Sequence, residues 1–163
     1  ISKKQYGNFE FKLEWKVLKH GNSGIFILAD EKRKRITTNA LEVQVRDPKR
    51  PWPKYLPVER RPLHDAGALI DLIAAPVAAV AALKKAGEWN KYRIVLNQRR
   101  LQVWLNGIQT YDIVIGSERW NALVADSKYK NVKAFAQASK GHLGLQSHND
   151  VVFYKNLKIR EIN

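Results

Sequence analysis

Residues 86–115 carry three apolar-rich runs in succession, the second and third separated by Asn106-Gly107. Asn-Gly between such runs requires positive φ at both turn residues, the geometry of a tight antiparallel hairpin. The stretch therefore reads as two short strands and an Asn-Gly turn into a third, Ile108 to Ile115. Phe9 to Val17 carries the same message more strongly. Phe9, Phe11, Leu13, Trp15 and Val17 alternate without a fault against Glu10, Lys12, Glu14 and Lys16. That period puts one set in a core and the other in water, as in a half-buried strand.

Further strands are expected at Ile25–Ala29 after a turn at residues 20–24, at Leu41–Asp47, at Ala68–Ile73, at Gly141–Gln146 and at Val151–Ile162. Lys32 to Thr38 reads as a charged connection. Pro48 to Pro62 holds five of the six prolines; with donors removed and φ fixed it reads as a long loop, a kind often functional in compact domains. Val77–Lys85 has helix-forming composition up to Gly87, and Ser117 is placed to cap a second short helix through Ala125. Many short strands with one or two short helices predict an all-β fold, an antiparallel β-sandwich, in one domain spanning 1–163.

Composition removes several classes. With no cysteine and no methionine, disulfides, thiolate nucleophiles and cysteine-based zinc sites are excluded. No apolar run approaches the ~20 residues of a membrane span. The four histidines lack HExxH-type spacing, so no metal site and no cofactor are expected. A net charge of +14 raises the question of a polyanionic partner. The cations, however, are scattered through turns and polar strand faces, without a helix-turn-helix, zinc-finger or RNA-binding pattern, so nucleic acid is not the expected partner. The sequence starts at Ile1 with no visible leader and reads as a trimmed chain.

Several segments, taken in order, resemble the 3-keto-disaccharide hydrolase family. They are Asn22-Ser23-Gly24-Ile25-Phe26, Glu42 to Asp47, His64 with Ala66-Gly67-Ala68-Leu69, Gly87 to Val95 with Val103 to Gly107, Gly141 to Gln146 with His148 and Asp150, and the closing Phe153 to Ile162. The resemblance implies a concanavalin A-like jelly roll, a small-molecule sugar as partner, a pocket on the concave sheet and a secreted or periplasmic setting. It also implies chemistry in which a 3-keto group acidifies the C2 proton, a protein base removes it, the glycosidic oxygen leaves and water adds back. Departures gather at pocket-like positions: Val43, Arg46, Pro48, Ile70, Ser147, Asn149 and the alanine-rich run 74–82. They leave open a divergent enzyme or a non-catalytic or engineered scaffold, its pocket reshaped for another ligand or reaction.

Glu42, Gln44 and Arg46 share one strand face opposite Val43 and Val45. They form either a sugar-recognising row or an ordinary solvated face. Under the resemblance Glu42 is the expected base and His148 the expected donor to the leaving oxygen. Gln44, Arg46, His64 and Gln146 would orient the sugar, with Asp150 beside His148. Trp104 faces the side shared with Gln102 and Asn106, where its indole either stacks on a sugar ring or lies beneath loops. Trp15 and Trp89 read as core; Trp52, between prolines, either caps a pocket or packs the loop. Asp47, Asp71 and Asp150 are the available second carboxylates for a conventional glycosidase.

Overall fold

The structure, a computed structural model, describes residues 1–31, 36–133 and 135–162; the charged stretch 32–35 lies outside them. The strands are β1 (Phe9–Val17), β2 (Asn22–Ala29), β3 (Leu41–Arg46), β4 (Asn90–Asn97), β5 (Arg100–Leu105), β6 (Ile108–Val114), β7 (His142–Leu145) and β8 (Val152–Glu161). Two short helices, α1 (Val77–Ala81) and α2 (Glu118–Ala125), complete the regular structure together with 3-10 turns at Ile36–Thr38 and Val58–His64. The strands form an antiparallel five-stranded sheet ordered β6-β5-β4-β1-β8 and a three-stranded sheet ordered β3-β2-β7.

The alternation of β1 is realised as expected. Phe9, Leu13 and Trp15 are buried against Leu96, Tyr92 and Asn90 of β4 in register. Facing them across the sandwich are Ile25 and Ile27 of β2 and Leu41, Val43 and Val45 of β3, all fully buried. Trp15 stacks on Tyr92 with ring centroids 5.6 Å apart. The Tyr92 hydroxyl crosses the core and donates to the Gln44 carbonyl at 2.5 Å, tying the five-stranded sheet to β3. Asn106 and Gly107 take φ of 50° and 88°, as the hairpin demands. Ser117 caps α2, its side chain accepting from the Trp120 N–H at 3.2 Å.

Four expectations need correction. Ala68–Ile73 is not a regular strand. The Leu72 and Ile73 N–H groups both donate back to the Leu69 carbonyl, and Asp71 sits at φ 61°. The chain turns on itself, touching β3 only through bonds such as Gln44 N–H to the Ala68 carbonyl and Ile70 N–H to the Glu42 carbonyl. The first helix stops at Ala81 rather than Lys85, because the Lys84 N–H is taken by the Asn90 side chain. β2 starts three residues earlier than its apolar run, since Asn22 and Ser23 pair with Arg46 and Val45. Trp89 is not core: it is half-buried, with the ammonium groups of Lys155 and Lys16 at 4.1 and 4.9 Å from its ring.

Candidate functional site

Strand alternation sends Val43 and Val45 into the core and Glu42, Gln44 and Arg46 to the other face of the three-stranded sheet. That face is not open to water. Segment 47–73 folds back over it, leaving the three residues 8%, 6% and 3% exposed. Two of them hold that cover in place. Gln44 donates from Nε2 to the His64 carbonyl at 3.2 Å and accepts from the Val45 N–H at 3.0 Å. Arg46 donates to the carbonyls of Asp47 at 2.9 Å, Arg50 at 2.6 Å and Pro51 at 3.3 Å, while the Trp52 ring lies 3.7 Å from its guanidinium carbon.

Between this sheet face and its cover lies a hollow of about 790 Å³. Glu42, Gln44, Arg46, His64, Gln146 and His148 all line it, although they come from three separate stretches of chain. The carboxylate of β3 and the imidazole before β8 therefore share one cavity. Trp104 lies elsewhere, lining a separate hollow of about 410 Å³ with Lys91, Arg93 and Lys158 on the outer face of the five-stranded sheet. The Arg93 guanidinium sits over its ring at 4.2 Å. Trp104 faces that way because its neighbours Val103 and Leu105 are fully buried.

Glu42 stands apart chemically. Among the described residues no hydrogen bond or ion pair holds its carboxylate, and burial pushes its pKa up to about 7, opposed weakly by the nearby Lys128 ammonium. Its room comes from Gly24 on the neighbouring strand: a Cβ there would meet the carboxylate and sit 2.8 Å from the Glu42 Cγ. Gly24→Ala is therefore expected to swing the flexible Glu42 side chain aside rather than disrupt the sheet. Any activity of the site should fall at least tenfold while the thermal midpoint moves by no more than ~2 °C. A calorimetric scan beside a rate measurement separates the two effects.

The other carboxylates are already engaged. Asp47 accepts from the His20 N–H at 2.6 Å and the Lys49 N–H at 3.0 Å. Asp150 accepts from Arg50 at 2.7 Å and lies 3.7 Å from His148 Nδ1, clamping the proline-rich loop to the segment before β8. Asp71 accepts from Arg60 at 2.8 Å and the Lys128 N–H at 2.7 Å, and its Oδ1 lies 3.3 Å from His64 Nε2. Burial works against its charge, but the Lys128 N–H and Arg60 hold the Asp71 carboxyl below its ordinary value. Burial and the Lys128 charge keep the His64 pKa low, so this ring is neutral near pH 7. None of the three is free to pair with Glu42 as a second glycosidase carboxylate.

Spacing gave no hint of Lys128, Arg60 or Asn22, which also line the hollow. Arg60 bridges Asp71 and Asp126, residues brought together only by the folded cover. The walls crowd the Lys128 ammonium and lower its pKa, with Glu42 and Asp71 opposing. Asn22 Oδ1 and Gln146 Oε1 are buried acceptors without a partner among the described residues. No cluster of three or more His, Cys, Asp or Glu side chains suited to a metal ion occurs among the described residues. Nor is any described helix long and apolar enough to cross a membrane.

The family described as a 3-keto-alpha-glucoside-1,2-lyase-like domain matches residues 1–160. A 3-keto-disaccharide hydrolase of Bacteroides thetaiotaomicron is 30% identical over 181 aligned positions covering 98% of this chain; the chain spans 60% of that relative's length. Two solved structures of provisionally assigned glycosyl hydrolases from Parabacteroides distasonis superpose with TM-scores of 0.87 and 0.76, at 25% and 26% identity. Each covers 99% of this chain, which in turn covers 73% and 81% of theirs. A carbohydrate-binding module of Bacillus subtilis, 10% identical, shares the fold alone at a TM-score of 0.58, over 99% of this chain and 80% of its own. The sandwich is thus of the jelly-roll kind expected.

Proposed function

This chain belongs to the 3-keto-alpha-glucoside-1,2-lyase-like domain family, and from that premise we propose that it cleaves 3-oxo glycosides by removing the proton at C2, with Glu42 as the base. One observation carries the assignment: a carboxylate without a hydrogen-bonded partner, inside a hollow, with its pKa raised to about 7. A base with that pKa combines a substantial ionised fraction at neutral pH with more proton affinity than an ordinary carboxylate.

The C2–H bond breaks and its proton passes to Glu42, while the electron pair forms the enolate between C2 and C3 with its charge on O3. Lys128, the ammonium whose field reaches Glu42, offsets that charge. The enolate collapses to a C1–C2 double bond as the C1–O bond breaks, and the leaving oxygen takes a proton from His148, whose side chain is 48% exposed. Water added across the double bond completes net hydrolysis. Asn22 and Gln146, on the wall of the hollow, orient the sugar. Gln44 and Arg46 act by holding the cover, and Asp150 by holding Arg50.

The test is incubation of the purified protein with 3-oxo-trehalose or 3-oxo-lactose. Enone absorbance should appear, and deuterium from heavy water should enter C2 of the sugar. Neither signal with either substrate overturns the assignment. The rate should also climb as pH passes through about 7, because only ionised Glu42 accepts a proton; at pH 6 roughly a tenth of the plateau rate remains. A flat profile from pH 5.5 to 8 would remove Glu42 from the role.

A further inference from the structure

The walls of the hollow are not alike. Its floor carries Glu42, Asn22, Gln146, His64 and Lys128, all able to meet hydroxyl or oxo groups. Its rim, built by the proline-rich loop, is Trp52, Pro53, Tyr55, Leu56 and Pro57. Tyr55 is 85% exposed, so its ring is open to a bound group. The backbone of the rim offers few free donors. Pro53 and Pro57 have no N–H, and the Leu56 N–H is taken by the Pro53 carbonyl at 3.0 Å.

The rim is braced by contacts within the chain. Arg46 holds the Arg50 and Pro51 carbonyls from below and stacks on Trp52, and Arg50 is tied to Asp150. An exposed aromatic on a braced ledge contiguous with a polar floor is a surface arranged for a flat, apolar group.

We propose that the proline-rich rim is an aglycone subsite selecting 3-oxo glycosides whose leaving group is a flat apolar ring, with Tyr55 as its stacking platform. The proposal rests on the reading above only in seating the sugar on the polar floor. Stacking of this kind contributes up to about tenfold in affinity.

The experiment uses unoxidised glycosides, which lack the acidified C2 proton and so bind without reacting. Titration calorimetry should find phenyl glucoside about tenfold tighter than methyl glucoside and tighter than maltose. Tyr55→Ala should erase the phenyl advantage and leave methyl glucoside unchanged. So exposed a side chain is not expected to matter for folding, and an unchanged thermal midpoint checks that. Equal binding of phenyl and methyl glucosides, maltose binding as tightly as the phenyl compound, or an equal loss for both glucosides in Tyr55→Ala would each overturn the subsite. Failure of the elimination chemistry is distinguishable: no 3-oxo glycoside yields an enone, while the binding comparison stands.

Discussion

Glu42→Gln is expected to lower 3-oxo-glycoside turnover by at least about a thousandfold and, at pH 8, to make the protein more stable than the parent. Both effects have one origin. The carboxyl, ordinarily near 4.5, is raised to about 7 by burial. Below pH 4.5 it is protonated in the folded and unfolded chain alike, and its titration makes no difference. As pH rises from there the unfolded chain ionises first, so the native state loses stability, and the loss levels off above pH 7. A group raised in this way weakens the fold on the alkaline side. The full displacement corresponds to ~3 kcal/mol at alkaline pH. The amide of glutamine must also leave water, so the expected gain is nearer 2 kcal/mol, about 4–8 °C in midpoint for a chain of this size. Thermal unfolding of both proteins at pH 4.5 and pH 8 measures it. The difference should be small at the lower pH and positive at the higher. A variant less stable at pH 8, or one that keeps its activity, would mean that Glu42 is a structural acid rather than a base held at a cost in stability.

Arg46→Met should act in the opposite sense, losing stability and function together. The guanidinium is 3% exposed and reaches three backbone carbonyls and the Trp52 ring. Methionine fills much of the volume but donates nothing, leaving those carbonyls to find water and the loop its other anchors. A loss of about 3 kcal/mol follows from removing charge-assisted bonds at a buried site, about 6–12 °C in midpoint. Loosening should concentrate in the proline-rich loop, so trypsin should cut faster after Lys49 and Lys54. Turnover should fall because the cover of the hollow moves, with most of the change in KM. Full resistance to trypsin and an unchanged midpoint would show that the loop holds its place without Arg46.

Much of the sandwich was legible in the residues because its cause is local. Uninterrupted alternation in β1 leaves one way to bury five apolar side chains, and Asn106-Gly107 admits one kind of turn. The bounds of β1 and the Ser117 cap follow directly. The polar row of β3 was legible as a row, but alternation cannot say what lies over it. Of the two open readings, the solvated face is excluded by a loop that hides all three side chains, and two of the three hold that loop. The cut-short first helix, the turn at residues 68–73 and the surface setting of Trp89 were missed for a related reason. Composition suggested helix, strand and core, whereas the Asn90 side chain, the Leu69 carbonyl and two lysines decided otherwise.

By itself, then, the chain of residues determined most of the strands, the Asn-Gly hairpin, which face of those strands enters the core and, through its ordered motifs, the family. Those properties depend on neighbours two to four positions away, where spacing and water suffice to choose. Tertiary structure alone decided that Glu42 and His148 share a cavity, that Trp104 does not, and that Lys128 and Asp71 meet across 57 positions of chain. Such meetings depend on how the whole cover packs over β3, and the raised pKa of Glu42 exists only once that cover has taken its water away.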